Sequence, residues 1–144
     1  MAVSNFDNVR LAMRRRLFDA GIATGNNDFH GENMPPLNIA RQPFWVDEFI
    51  SGGVTRRWST MRKRQYTVLL RYDFHVPLNT GTRMLSEKQA MLESAFDIMD
   101  DSKCHISADG WEIEVYRIQS EGDETDKASQ IRPMTMYLRC TSKE

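Results

Sequence analysis

Long apolar runs, cysteine and histidine are all scarce in this chain of 144 residues, and each shortage removes a class of protein. No apolar run approaches the roughly 18 residues that a membrane span needs, so the chain is expected to be soluble and to have no membrane partner. The N-terminus, MAVSNFDNVRLAMRRRLF, lacks the uninterrupted apolar segment and small-residue cleavage site of a signal peptide. Only two cysteines are present, Cys104 and Cys140, and neither belongs to a CxxC pair. They are expected to be core thiols in a reducing compartment rather than a disulfide. The three histidines, His30, His75 and His105, stand apart, and no metal-ligand spacing links them. GxSxG, P-loop and dinucleotide fingerprints are missing as well, so no catalytic residue, cofactor or metal is assigned. The net charge of -1 gives no global pull toward nucleic acid.

What the chain does have is a clear strand joined to a clear helix. Tyr66, Val68, Leu70, Tyr72, Phe74 and Val76 alternate with Gln65, Thr67, Arg71, Asp73 and His75, with Leu69 as the one exception. A period of two sets one face on a core and the other toward water or a partner, and Pro77 ends the run. Ser86 lies three residues before Gln89, which predicts a capping box at the head of a helix. Met91, Leu92, Ala95, Phe96 and Met99 then form its wide apolar face.

The flanking segments follow the same logic. A first helix is expected from a cap at Ser4 or Asn5 to Ala20, with Gly21 as its stop and Phe6, Val9, Met13 and Leu17 as its buried stripe. Arg14, Arg15 and Arg16 point in three directions and read as a solvated face. Residues 22–43 are rich in Gly, Asn and Pro and predict a flexible loop with one short strand at Leu37 to Arg41. Strands are expected at Phe44 to Ile50 and, after Gly52 and Gly53, at Val54 to Thr60, the latter turning at Met61 to Arg64. Downstream, Asp109-Gly110 marks a two-residue hairpin between Lys103 to Ala108 and Trp111 to Ile118. Trp111, Ile113, Val115 and Arg117 share one face of the second arm. Residues 119–131 include the acidic stretch SEGDETDKAS and predict an exposed, flexible loop. The last strand, Pro133 to Thr141, alternates Met134, Met136, Leu138 and Cys140 against Thr135, Tyr137 and Arg139. Together these elements predict one α+β domain over residues 1–144, a mostly antiparallel or mixed sheet with two helices packed on one face.

Candidate contact residues fall into three groups. Arg56, Arg57, Arg62, Lys63 and Arg64 surround Trp58 at the expected hairpin tip, a composition suited to phosphate and base, to solvent, or to an acidic protein surface. Glu121, Asp123 and Glu124 in the acidic loop are a complementary set that a neighbouring copy would offer. Arg71, Asp73 and His75 line the polar face of the long strand, where Asp73 and His75 read as an interface-lining pair.

The order of elements, with pieces such as GGVTRRWST, RQYTVLLRYDFHVP and LSEKQAMLESAF, resembles the tail terminator proteins of long-tailed bacteriophages over nearly the whole chain. The resemblance implies a structural virion protein that is not an enzyme, made in the host cytoplasm and carried in the tail or neck. It implies a homo-hexameric ring on the head-proximal end of the tail tube, which stops tube polymerisation and offers a docking surface for the head. The implied partners are other copies of itself, the tail tube protein and a head-tail connector or neck protein, with DNA only passing through the lumen. The long polar stretch 22–43 departs from that pattern. The alternatives are another neck, head-closure or minor tail component, or a small nucleic-acid-binding module using the Arg/Trp hairpin.

Overall fold

A computed structural model describes residues 7–23, 29–30, 44–58, 63–78, 81–108, 110–125 and 129–142; of residues 29–30, 44, 49–58, 63 and 129 it describes the backbone alone. The expected caps at Ser4 and Asn5, Phe6, the strand at Leu37 to Arg41, the turn residues 59–62 and Asp109 lie outside the described residues.

The fold is α+β, with a mostly antiparallel sheet. Its elements are α1 (Asp7–Asp19), β1 (Phe29–His30), β2 (Phe44–Trp58), β3 (Lys63–Pro77), α2 (Arg83–Ala95), the one-turn α3 (Asp101–Cys104), β4 (His105–Ala108), β5 (Trp111–Ser120), β6 (Glu124–Thr125) and β7 (Ser129–Ser142). Strand order across the sheet is β1-β2-β3-β7-β5-β4, and β6 pairs with β7 off that path. Among the described residues only the short β1 to β2 pairing is parallel. The alternation in β3 places Tyr66, Val68, Leu70, Tyr72, Phe74 and Val76 in one buried cluster with Met134, Met136, Leu138 and Cys140 of β7. Val9, Met13 and Leu17 of α1 and Leu85 and Leu92 of α2 cover that same face. Trp45 closes the β2 side, its ring 4.5 Å from Phe74 and 6.1 Å from Tyr72 between centroids.

The end of α1 follows the expectation in detail. Gly21 takes φ +75, the Ile22 N–H reaches the Leu17 carbonyl and the Gly21 N–H reaches that of Phe18, with both apolar side chains of the closing contact buried. This is a Schellman stop, which needs a left-handed residue that glycine supplies without strain.

Several expectations are corrected. The two strands predicted on either side of Gly52-Gly53 are one continuous β2, whose register slips between Phe49 and Ser51 and again between Val54 and Arg56. Extra residues absorbed as bulges keep the ladder running through the glycines. A third bulge, between Val115 and Arg117, reverses the phase of β5: Arg117 is exposed while Ile118 packs against the core. There is no capping box. The helix begins at Arg83 after Thr82, which makes no side-chain cap, and Ser86 and Gln89 instead both accept from the Arg132 guanidinium at 3.0 and 3.1 Å. Met91 is at the surface and Met99 is 89% exposed, since the helix has already ended at Ala95. Cys104 sits on α3 rather than in a strand, and residues 119–131 are largely structured, contributing to β5, β6 and β7. Both cysteines are free and buried.

Of the arginine run of α1, Arg15 is exposed as expected, but Arg14 and Arg16 are not part of a solvated face. Arg14 makes a two-pronged ion pair with Asp47, which stands opposite Tyr72 on the core face of β2 and is fully buried; one prong, Nη2 to Oδ1, is 2.7 Å. Arg10 Nε lies 3.9 Å from the same carboxylate. Arg16 donates to the carbonyl of Ala95 at the end of α2, where a cation satisfies an orphan acceptor and the helix dipole. Lys88 of α2 returns the contact at the Ile22 carbonyl, 2.9 Å away.

Candidate interaction surface

Among the described residues the helices pack on one side of the sheet, and no described helix covers the other face of β3, β7 and β5. Residues opposite one another in the ladder share a face, so Arg71, Thr135 and Gln119 form one row and Leu69, Tyr137 and Arg117 the next. Tyr116, displaced by the bulge, meets Tyr137 edge to face at 6.1 Å. Arg139 lies 4.1 Å above the Tyr116 ring and Arg117 lies 5.0 Å above that of Tyr137. Arg139 also reaches Glu114 at 3.4 Å, and Arg117 reaches Gln119 at 2.7 Å. Each cation is held by a ring and by a polar neighbour, so this array of two arginines and two tyrosines is preorganised, and both residue types are enriched at protein interfaces.

At the other end of the face the predicted strand group and loop group come together. Arg71 donates to Asp73 at 2.6 Å and lies 3.7 Å from Glu124. The Asp73 carboxyl is pushed above its ordinary range by burial, an effect opposed by Arg71. Glu121 accepts from the Thr135 hydroxyl at 3.4 Å. Asp123 takes both prongs of Arg132, which holds its carboxyl below the ordinary range. His75 is half-buried beside Ile131 in the ladder, and Asp73 is paired with Arg71 rather than with it.

The basic group is elsewhere. Arg56 stands opposite Gln65 and Arg57 opposite Arg64, so the two alternate between faces; the side chains of Arg56, Arg57, Trp58 and Lys63, and all of Arg62, lie outside the described residues. The backbone N–H of Arg64 donates to Ser142 Oγ at 3.0 Å. Gln65 pairs with Thr141 and Glu124 with Ile131, so ten residues of β7, about 33 Å of strand, separate the tip from the acids. Asp123 and Glu124 are answered within their own chain. Their charges are matched by Arg132 and Arg71, while the expected pairing with a neighbouring copy turns on tip side chains that lie outside the described residues.

Sequence reasoning missed Tyr116, Arg117, Tyr137 and Arg139. The polar side of β7 did carry a signal, since Tyr137 and Arg139 are large contact-prone side chains on a face otherwise read as solvent; the bulge that recruits Tyr116 and Arg117 has none. A groove of about 460 Å³ lies between α1 and β4, lined by Asn8, Leu11, Ala12, Arg15, Ile106, Ser107 and Ala108. It runs beside the sheet's terminal strand, and Leu11 is 59% exposed there.

No family model and no curated protein matches the chain. A solved structure whose name states no function superposes with a TM-score of 0.62 at 15% identity, over 95% of this chain and 96% of that one. At that identity the likeness shows a shared fold, end to end, and nothing about activity. No described helix is long and apolar enough to cross a membrane.

Proposed function

We propose that this protein works by assembly, as a bacteriophage tail terminator: a ring of copies that caps the head-proximal end of the tail tube and receives the head. The observation that carries the reading is a sheet with helices on one face, a preorganised arginine and tyrosine array on the other, and two unlike edges. A ring needs a heterologous contact, in which one surface meets a different one on the next copy. One edge is β4 with its groove of mixed polarity; the other is β2, whose outer side beyond Val46 has no strand among the described residues. An outward row of unpaired backbone groups favours pairing with another chain. The proposed partners are further copies, a tube protein and a neck protein, with DNA in the lumen and no part in recognition.

The alternative of a nucleic-acid module gains little from the outer face, because Arg117 and Arg139 already occupy the ring faces on which a base would stack. Labelled protein added to purified tail tubes tests the reading. Decoration of one tube end by rings is expected; decoration along the sides, or binding only to DNA, overturns it.

A further inference from the structure

His105 looks solitary in the sequence, but the chain turns it back onto the residues just before it. Asp100 caps α3 by accepting from the Ser102 N–H and hydroxyl, which fixes a single helical turn. Asp101 and Cys104, three apart, then share one side of that turn. His105 is the first extended residue, and its ring Nδ1 comes within 3.4 Å of Cys104 Sγ and 4.0 Å of an Asp101 carboxylate oxygen. One donor atom from each of the three lies within 4.8 Å of the others.

We propose that Asp101, Cys104 and His105 form a three-donor site for a divalent ion of the zinc class, independent of any role in assembly. Zinc holds sulfur at about 2.3 Å and nitrogen or oxygen at about 2.0 to 2.2 Å in a tetrahedron, which puts sulfur and nitrogen ligands roughly 3.5 Å apart. The thiol and imidazole already have that spacing. The carboxylate must close by roughly 0.6 Å toward the imidazole and by up to about 1.2 Å toward the sulfur, and Asp101 is exposed enough to do so. A set of one sulfur, one nitrogen and one oxygen is borderline soft, which selects zinc over magnesium or calcium. Glu114, across the ladder from His105, is engaged by Arg139 and stays outside the donor set, which leaves the fourth position to water.

The electrostatics fit a cation. Burial raises the Cys104 thiol above its ordinary range, and Asp101, Glu114 and Asp100 raise it further, so without a metal the sulfur stays protonated among carboxylates. A dication reverses that balance: the sulfur–zinc bond forms, the thiol proton leaves to solvent, and the thiolate and Asp101 carboxylate neutralise the ion. The imidazole ligates through unprotonated Nδ1, giving up its alternative contact with the Asp101 carbonyl at 3.2 Å.

The test is titration of the full chain, reduced and metal-free, with cobalt(II) chloride, followed by back-titration with zinc. A near-ultraviolet thiolate-to-cobalt charge-transfer band saturating at one ion per chain is expected, displaced by zinc and growing with pH. Cys104→Ser should abolish the band and Cys140→Ser should keep it. His105→Ala, an exposed change that leaves the core intact, should weaken binding by at least the roughly 10- to 100-fold that loss of a mere supporting residue costs. Absence of the band in the unaltered protein, its persistence in Cys104→Ser, or unchanged affinity in His105→Ala overturns the site. Should Cys104→Ser fail to fold, the His105→Ala and Cys140→Ser measurements decide.

Discussion

Asp47 and Tyr72 show how individual side chains carry opposite stakes in one small region of the core. Asp47 is a fully buried carboxylate whose charge is matched by Arg14 and, at longer range, Arg10. Removing one member of such a pair strands the other, so Arg14→Ala should lose about 3 to 5 kcal/mol of stability in urea unfolding. Arg14→Met combined with Asp47→Leu should recover most of that loss, since a packed apolar pair has no charge to desolvate. The Tyr72 hydroxyl beside them is buried with no hydrogen-bond partner among the described residues. Tyr72→Phe should therefore be neutral or stabilising by about 1 kcal/mol at neutral pH. Burial, with Asp47 adding to it, raises the Tyr72 phenol well above its ordinary value. A group whose folded value is raised keeps its contribution below the unfolded value, about 10 for tyrosine, and loses it as pH climbs beyond. The Tyr72→Phe variant should show a shallower loss of stability above about pH 10, measured by urea midpoints across that range. Cys140, pushed up by burial to about 12, adds a second alkaline limb starting near its ordinary value of 9.0.

At the scale of elements, Arg132 ties three of them together: β7, which carries it; α2, through Ser86 and Gln89; and the approach to β6, through Asp123. Arg132→Ala should cost about 1 to 3 kcal/mol and raise amide hydrogen exchange selectively at residues 121–125. The Asp123 carboxyl is depressed in the folded state, so its contribution is present above the ordinary carboxylate value and fades as pH falls through the folded one; the variant should lack that part of the acid limb. Arg132 also explains what sequence reading could and could not reach. Strand β3 was legible because alternate burial over Tyr66 to Val76 is a direct image of the pleat, and α1 because Gly21 marks its stop. The Ser86 and Gln89 spacing looked like a cap because a capping box and a shared arginine contact both need two polar groups three apart on a helix. Only the tertiary position of Arg132 separates the two. Asp47 reads as a surface acid until α1 is laid over it, and the bulges in β2 and β5 shift phase with no residue type that announces them. Of the candidate contacts, Arg71 and Asp73 were correctly placed on the outer face, while the tyrosines that organise that face were not singled out.

At the scale of the whole molecule, the position of β7 governs how the sheet can be completed. β2 and β3 form one hairpin, β4 and β5 another, and β7 lies between β3 and β5, so among the described residues the strand pairing that joins the two halves of the sheet runs through it, with Tyr66 and Trp111 also in ring contact at 5.5 Å. Pairs such as Gln65 with Thr141 close very long loops, and such non-local ladders fold slowly, on the order of milliseconds to seconds. A chain cut after Ser120 should leave two hairpins with naked edges, lack near-ultraviolet circular dichroism and aggregate. A separate peptide spanning residues 129–142 should restore the signal on mixing, and failure to do so would show that the halves do not wait in a native-like form. On the ribosome the consequence is one of timing. The two hairpins emerge first and must remain soluble, each with an open edge, until β7 is made. Synthesis past Ser142 is thus the event that converts two adhesive half-sheets into one continuous sheet, and the interval before it is when the nascent chain most needs a chaperone.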